Sequence, residues 1–174
     1  MTTLAIPGNL SGLLAAPRST ARSESADDLA RIRESIRKHL LESYSVRREA
    51  ERAITELAEV QDSAALPGWD GYGARPVNLW ACAHARLFIE ALPTTAPAPE
   101  VSADPDGEVA LDWIFGPRKA LTVSIGASGR CAFAWIRGPR TYRGTEWLND
   151  GIPKIIISAL SELARDSEAV STVR

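Results

Sequence analysis

The fold is decided by residues 109–137, VALDWIFGPRKALTVSIGASGRCAFAWIR. Within this stretch, apolar side chains alternate with small or polar ones in three runs, 109–115, 121–125 and 131–135, separated by glycine-containing turns. Because successive side chains of a strand point to opposite faces of a sheet, each run predicts a strand with one buried face. The short separations favour hairpins, so we expect an antiparallel meander of three strands, or four if residues 100–103 also pair.

A helix is predicted over residues 79–92, directly before the meander. Asn78 is a favourable N-cap residue, and Pro93 disfavours helical backbone in the residue that precedes it. Apolar residues recur every four positions along one stripe of this helix, at Leu79, Ala83 and Leu87. Trp80 lies beside that stripe, and we expect it to pack the helix against the sheet.

The last helix is predicted over residues 152–165. Pro153 suits the first helical position, and apolar residues recur on the face that would cover the sheet, at Ile156, Leu160 and Leu163. Residues 137–149 contain two glycines and a proline and are predicted to form a loop. The polar residues 166–174 are expected to fray.

Residues 26–61 are predicted to be helical, because neither glycine nor proline occurs between Ser19 and Leu66. A first apolar stripe ends at Tyr44, and a second begins at Ala50. The charged segment between them leaves two alternatives, one long helix or two helices with a break near residues 43–46. The preceding residues, 1–25, are rich in Ala, Ser, Thr, Gly and Pro, and are expected to form a flexible tail.

A single helix over residues 26–61 would span about 54 Å, whereas the rest of the chain would have a radius of gyration of roughly 13 Å. Its apolar stripe would therefore need a cover. The alternatives are a second copy or another protein, and a fold-back onto the C-terminal domain. The candidate oligomerisation residues are Leu29, Ile32, Ile36, Leu40, Ile54 and Leu57.

Composition excludes several classes of protein. The chain has 174 residues, with 20 basic and 22 acidic side chains and a net charge of −2, which excludes a strongly basic nucleic-acid coat and a polyacidic DNA mimic. We expect no transmembrane helix, because no run approaches about 18 apolar residues, and no signal peptide, because no basic segment precedes the apolar N-terminal residues. Two cysteines without a framework of spacings favour a cytoplasmic location.

No catalytic, metal or cofactor site is predicted. Cys82 and His84 would point about 200° apart on their helix, so they cannot share a metal ion. Glycine motifs that cradle phosphates or dinucleotides are absent from the sequence. An enzyme that uses Asp70 or Cys82 in a pocket stays open as an alternative.

Charge is distributed unevenly over the meander. Residues 100–112 hold five acidic and no basic side chains, whereas residues 118–143 hold six basic and no acidic ones. This pattern fits charge pairing between neighbouring strands, or a basic surface that binds single-stranded nucleic acid with the help of aromatic neighbours. The candidate binding residues here, expected to lie beyond the paired strands, are Arg137, Arg140, Tyr142, Arg143 and Trp147.

The most distinctive segment is Trp69-Asp70-Gly71-Tyr72-Gly73-Ala74. The Asp70 carboxylate can accept hydrogen bonds from the backbone of the following turn, and Gly71 and Gly73 tolerate positive φ. One interpretation is a structural loop that fixes helix 79–92 to the sheet. The other is a binding site in which Trp69, Asp70 and Tyr72 contact a partner.

This loop, the helix ending at Ala91-Leu92-Pro93 and the segment 105–113 together resemble a group of small bacterial proteins. These share a Trp-Asp-Gly-x-Gly-Ala loop, a helix and a short β-meander, and the resemblance covers roughly residues 66–165. The group has no established activity. The resemblance therefore implies a bacterial, cytoplasmic origin and a domain boundary near residue 65, but no catalytic role.

The sequence thus predicts an α+β protein. A flexible tail (1–25) and a helical region (26–61) would precede a compact domain (66–165), in which two helices pack a three- to four-stranded antiparallel meander, and a frayed tail (166–174) would follow. The expected function is that of a non-enzymatic interaction or regulatory accessory protein of a bacterial system, antitoxin-like in one version. It would assemble through its N-terminal helix with itself or with a protein partner. Nucleic-acid binding and an unrecognised enzymatic activity are the alternatives.

Overall fold

The structure is a computed structural model that describes residues 21–149 and 151–171, and the side chains of 31–35, 37–38, 48–149 and 151–166. Residues 1–20 of the predicted tail (1–25) and the last residues 172–174 lie outside this range, whereas residues 21–25, also expected to belong to the tail, are helical. The chain divides into two units, 1–40 and 41–174, which are described separately. In chain order the elements are α1 (Ala21–Ser63), α2 (Leu79–Glu90), β1 (Glu100–Ala103), β2 (Val109–Gly116), β3 (Lys119–Ile125), β4 (Arg130–Arg137), β5 (Arg140–Trp147) and α3 (Lys154–Ser171).

Five antiparallel strands of the described chain form one sheet, in the order β1-β2-β3-β4-β5. The predicted meander is therefore confirmed, and β1 pairs with β2 as the fourth strand that the sequence left open. Leu111, Val123 and Phe133 stand side by side across β2, β3 and β4, all on the buried face. A slip of one residue would turn this apolar row toward solvent, so burial of one face fixes the register.

The fifth strand shows that the loop predicted over 137–149 was wrong. β5 pairs with β4 along its whole length, from Arg140 opposite Arg137 to Trp147 opposite Arg130. Almost all of its residues are exposed, so the strand carries no apolar alternation that a sequence pattern could reveal. Backbone pairing with β4 holds it at the sheet edge, with strand-favouring Thr, Tyr and Trp side chains along it.

The core of unit 41–174 lies between one sheet face and the helices. α2 and α3 pack on the central strands, and the predicted core residues of α3, Ile156, Leu160 and Leu163, are confirmed as buried. α3 continues to Ser171, well past its predicted end, so part of the segment expected to fray is helical.

The C-terminal part of α1 also belongs to this core. Leu57 is 4% exposed, and Ile54 is half-buried against the core cluster. The expectation that Leu57 contacts a second copy is therefore corrected, because the protein's own fold covers it, whereas Ile54 packs against the core and keeps part of its surface open. Residues 43–46 are helical, so of the two alternatives the single helix is the one that occurs. Of the other candidates on this helix, Ile32 is 54% exposed, whereas the side chains of Leu29, Ile36 and Leu40 lie outside the described residues.

The segment between α1 and α2 is held by the turn between β1 and β2. Arg75 N donates to Pro105 O at 2.8 Å, and Asn78 N donates to Gly107 O at 2.9 Å. Gly107 adopts a φ of +88°, and a Cβ placed there would lie 2.7 Å from Pro76 O. This close approach of two backbones requires glycine and fixes where α2 begins.

We expect Gly107→Ala to destabilise the fold more than Gly73→Ala. Gly73 has a similar φ of +93°, but a methyl group added there would meet nothing within 4 Å, so its alanine variant carries backbone strain of about 1–2 kcal/mol alone. Gly107→Ala adds displacement of the Pro76 carbonyl, for a further ~1–3 kcal/mol. Urea unfolding of both variants measures the difference, and equal losses would show that the contact with Pro76 contributes nothing.

Candidate protein-interaction surface

The outward side of α2 carries an exposed apolar surface. Asn78 caps the helix, its Oδ1 accepting the N–H of Trp80 at 2.9 Å. The large side chains of this surface are Leu79, Trp80 and Leu87, which are 67%, 69% and 61% exposed. Together with the exposed Ala83 they lie on one side of the helix, and we call these four residues the α2 face.

The expectation that Trp80 packs the helix against the sheet is wrong. The buried residues of α2 are Ala81, Cys82, Ala85, Phe88 and Ile89. The small side chains of Ala81 and Ala85 let the helix approach its neighbours closely. Phe88 fills space next to Trp113, with the two ring centroids 6.3 Å apart. The large residues are consequently left on the outside.

Two charged side chains border the α2 face, and Arg86 lines the same hollow as Leu79 and Ala83. Arg86 and Glu90 are the basic and acidic residues of α2, and they pair with each other at a distance of 2.9 Å between Nε and Oε1. Both side chains are largely exposed, so this ion pair contributes little to stability. Because the two charges cancel, the pair adds no net charge next to the apolar residues of the α2 face.

Hollows border the α2 face. Leu79 and Ala83 line one of about 350 Å³, whose opposite wall includes Ile54 and Ala58 of α1. Leu87 lines another of about 270 Å³, which Leu148 also borders. Such recesses beside protruding apolar side chains suit interdigitation with the side chains of a partner.

A larger concavity of about 750 Å³ lies between α1, the end of α2 and the segment that follows it. Its walls include Ile54, Ile89 and Leu92, and its polar groups include the paired Arg86 and Glu90. The mostly apolar lining offers contact area, but no catalytic arrangement of side chains.

The Trp-Asp-Gly-Tyr-Gly-Ala segment forms a loop that is held by hydrogen bonds among its own residues and Arg75. Asp70 Oδ1 accepts the N–H groups of Tyr72 at 2.8 Å and Ala74 at 3.0 Å, and Trp69 Nε1 donates to Arg75 O at 2.9 Å. Trp69 and Asp70 therefore hold the loop in shape, as the structural interpretation expects. Tyr72 differs, because its side chain is 96% exposed at the tip.

The N–H groups of Ala74 and Tyr72 hold the pKa of the Asp70 carboxyl below its ordinary value. A depressed pKa in the folded state means that ionised Asp70 stabilises the fold above the ordinary carboxyl range. That contribution is lost as the pH falls through the folded-state pKa.

We therefore expect Asp70→Asn to lower the melting temperature at pH 7, because the amide oxygen still accepts hydrogen bonds but carries no charge. Asp70→Ala should lower it further. The gap between wild type and Asp70→Asn should close as the pH falls below the ordinary carboxyl range near about 4. Melting curves over a pH series measure this, and a gap independent of pH would contradict the role of the charge.

The basic residues of β4 and β5 do not form one surface. Arg137 binds Asp166 at 2.8 Å and Glu162 at 3.1 Å on α3, and this pairing lowers the pKa of the Asp166 carboxyl. Arg140 lies opposite Arg137 on the same face of the sheet, whereas the register places Arg143 on the other face. The expectation that these arginines lie beyond the paired strands is therefore wrong.

A charge pair at the other end of β4 reaches across β3 to the residue that precedes β2. Arg130 Nη2 lies 2.7 Å from Glu108 Oε1. Ser124 Oγ lies within hydrogen-bond distance of the same glutamate and of Asp104, at 2.8 and 2.6 Å. The acidic and basic segments of the meander are thus joined here within the sheet.

The aromatic candidates of β5 lie on opposite faces. Tyr142 stacks on Trp135 with ring centroids 4.7 Å apart, on the side of the sheet that faces the helices. Trp147 lies on the other side and is half exposed. The structure therefore does not bring Tyr142 and Trp147 together, or either of them next to the Trp69–Ala74 loop by any described contact.

The cysteines and histidine of the core show no activated nucleophile. Cys82 and Cys131 are buried, and burial raises the pKa of both thiols, that of Cys131 to about 11. Among the described residues, the buried Nδ1 of His84 has no hydrogen-bond partner, and no group of three His, Cys, Asp or Glu side chains could hold a metal ion.

No protein-family model, curated protein or solved structure matches this chain. In the part of the chain that the structure describes, every helix is too short or too polar to cross a membrane. The functional argument therefore rests on the surfaces of the molecule itself.

Sequence reasoning named Leu79, Ala83 and Leu87 as a stripe but did not recognise it as a surface. The signal was present, since α2 is apolar on both sides, and a second stripe of smaller residues begins at Ala81. Periodicity alone could not decide which of the two apolar sides faces the core.

Proposed function

We propose that this chain is a non-enzymatic interaction protein that binds a protein partner through the α2 face. The observation that carries the proposal is the exposure of Leu79, Trp80 and Leu87 side by side on one short helix. Contiguous apolar surface on a folded protein marks an interaction site more often than isolated exposed residues do. Tryptophan is also among the residues that contribute most to binding energy.

The construction of the surface supports the proposal. The Asn78 cap, the hydrogen bonds from the preceding segment to the β1–β2 turn and the packing of Phe88 hold α2 in place. A surface on a rigid helix loses little conformational entropy on binding. The neighbouring hollows add recesses that a partner's side chains can fill.

Within this proposal, the protein is a regulatory accessory of a bacterial, cytoplasmic system, antitoxin-like in one version. The bacterial and cytoplasmic setting rests on the resemblance of the Trp69–Ala74 loop and its surroundings, and the regulatory role extends the proposed binding. Assembly through the first stripe of α1, at Leu29, Ile32, Ile36 and Leu40, also remains a proposal, supported by the exposure of Ile32.

We expect the α2 face to be required for binding but not for folding. Full-length chain with Leu79→Ser, Trp80→Ala and Leu87→Ser should lose captured partner protein in extracts of its native host. Each change should alter unfolding free energy by no more than about 0.5 kcal/mol, as is usual for exposed sites. Ile114→Ser, at a site 71% exposed on the sheet, is the matched control and should keep the partner. Unchanged capture by the triple variant would refute the proposal.

Phe88→Ala provides the opposite control for stability. Phe88 is buried on the inner side of the same helix, so its truncation should cost about 3–5 kcal/mol. Urea unfolding of both sets of variants separates the two sides of α2. A large loss from the outward substitutions would mean that the α2 face belongs to the fold.

Assembly through α1 has its own test. If the first stripe self-associates, Leu29→Ser combined with Ile32→Ser and Ile36→Ser should lower the mass of the full-length chain in light scattering. A mass that is the same before and after substitution would remove α1 as a contact between copies.

The nucleic-acid alternative would use the surface around Arg140 and Arg143. Two observations weigh against it. Acidic partners neutralise Arg137 and Arg130, and Arg140 and Arg143 lie on opposite faces of the sheet. We expect no binding of single-stranded nucleic acid that weakens steeply with salt. Fluorescence anisotropy with a labelled oligonucleotide, comparing wild type with Arg140→Ala and Arg143→Ala, measures this.

A further inference from the structure

β5 is an open edge of the sheet. It is the last strand in the sheet order, and β4 is its neighbour among the described strands. Just past the strand, Leu148 donates its N–H toward the β4 side, to Gly129 O at 2.9 Å. Successive residues of a strand direct their backbone groups to opposite sides, so Thr141, Arg143 and Thr145 direct theirs away from β4. None of the described hydrogen bonds uses these outward N–H and C=O groups.

The opposite edge of the sheet is protected, whereas β5 is not. β1 has four residues and lies between Pro99 and Pro105, which have no N–H to offer a further strand. β5 has eight residues, contains no proline and pairs with β4 in an unbroken register. No described helix contacts β5, so an added strand has space on both faces of the sheet. Long, regular and uncovered edges are templates for pairing with another chain.

We infer that the outward edge of β5 binds an extended, acidic segment of a partner protein, which joins the sheet as a sixth strand. The backbone of another extended chain is the surface that complements a row of N–H and C=O groups. The α2 face plays no part in this contact, so the inference goes beyond the proposed function.

The exposed arginines of β5 set the charge of the added strand. Arg140 and Arg143 are exposed and form no ion pair among the described residues, unlike Arg137, which is paired with α3. They lie on opposite faces of the sheet. An added strand also projects its side chains to both faces in turn, so two acidic residues three positions apart place one carboxylate beside each arginine. The acidic Glu146 lies at the other end of β5, which places these acidic positions toward the β4–β5 turn.

Gly144 gives the added strand an apolar contact on the helix-facing side. A Cβ placed at Gly144 would lie 2.6 Å from Cζ of Phe133, so the Phe133 ring covers this glycine and reaches toward the edge. A side chain of the added strand opposite Gly144 therefore meets an aromatic ring. A single strand of this length forms an interface at the small end of the range, below about 1,200 Å², so the binding is weak and reversible.

Peptide binding to the full-length chain tests the inference. The probe is a fluorescein-labelled peptide of about eight residues, built from threonine and valine with two glutamates three positions apart. Its dissociation constant should lie between about 10 µM and 1 mM, as is usual for a small transient contact. The same peptide with lysines in place of the glutamates should bind at least about fivefold more weakly, because it brings like charges together. No binding at about 1 mM peptide, or equal binding of the two peptides, would overturn the inference.

Proline at position 145 tests the role of the backbone. Thr145→Pro removes an outward N–H and leaves the bonds to β4 in place, and edge strands tolerate proline in this position. It should weaken binding of the glutamate peptide at least about tenfold, whereas Thr145→Val keeps the N–H and should bind as wild type does. Full binding by a folded Thr145→Pro chain would contradict strand addition.

A charge reversal decides the matter if Thr145→Pro does not fold. The full-length chain with Arg140→Glu and Arg143→Glu should bind the lysine peptide more tightly than the glutamate peptide. An unchanged preference for the glutamate peptide would show that these arginines do not contact it, and would refute the inference.

Amide hydrogen exchange shows where the peptide lies. Excess glutamate peptide should slow exchange at Thr141, Arg143 and Thr145 at least about threefold, and should leave Leu148 unchanged because its N–H is already bonded. Unchanged exchange at the three outward positions would place the peptide elsewhere. Slow exchange without peptide, increasing with protein concentration, would identify a second copy as the occupant. Either result would overturn the inference.

The α2 face supplies a control that separates this inference from the proposed function. The chain with Leu79→Ser, Trp80→Ala and Leu87→Ser should bind the glutamate peptide as tightly as wild type does. Loss of peptide binding in that variant would place the peptide on the α2 face and refute binding at β5. The proposed function is decided separately, by partner capture.

Discussion

Leu111, Val123 and Phe133 lie in one row across β2, β3 and β4, and their burial against the helices is the constraint on which the unit depends. Each buried side chain of this kind contributes about 1.5–3 kcal/mol. The row can form in a single register, and that register then sets the pairing of β1 and β5 at its two edges. β5 has little burial of its own, so it owes its place to β4.

The second constraint is the close backbone contact between Gly107 and Pro76. It joins the β1–β2 turn to the segment that leads into α2, and the hydrogen bonds of Arg75 and Asn78 reinforce it. The conspicuous Trp69–Ala74 loop lies directly before this contact, with Asp70 and Trp69 bonded within it. The most distinctive motif of the sequence is therefore held in shape by bonds among its own residues, and its tip residue Tyr72 faces solvent.

The orientation of α2 links the fold to the proposed function. Alanines and a cysteine face inward, where the sheet and α1 leave room for small residues, and Phe88 fills the remaining space near Trp113. Leucines and a tryptophan face outward as a result. Those outward residues contribute little to the stability of a single copy, which is a reason to assign them to binding.

The sequence by itself determined the antiparallel meander, the N-cap of α2 and the buried face of α3, because alternation, capping and helical periodicity are local patterns. It could not determine β5, whose residues are exposed and are held by pairing with β4. It could not choose between the two apolar sides of α2, nor between partner and fold-back for Ile54 and Leu57 of α1. Nor could it show that Arg137 is neutralised by Asp166, far away in the chain. Tertiary structure decided these points, because each depends on which elements pack against one another. A local sequence pattern carries no information about that packing.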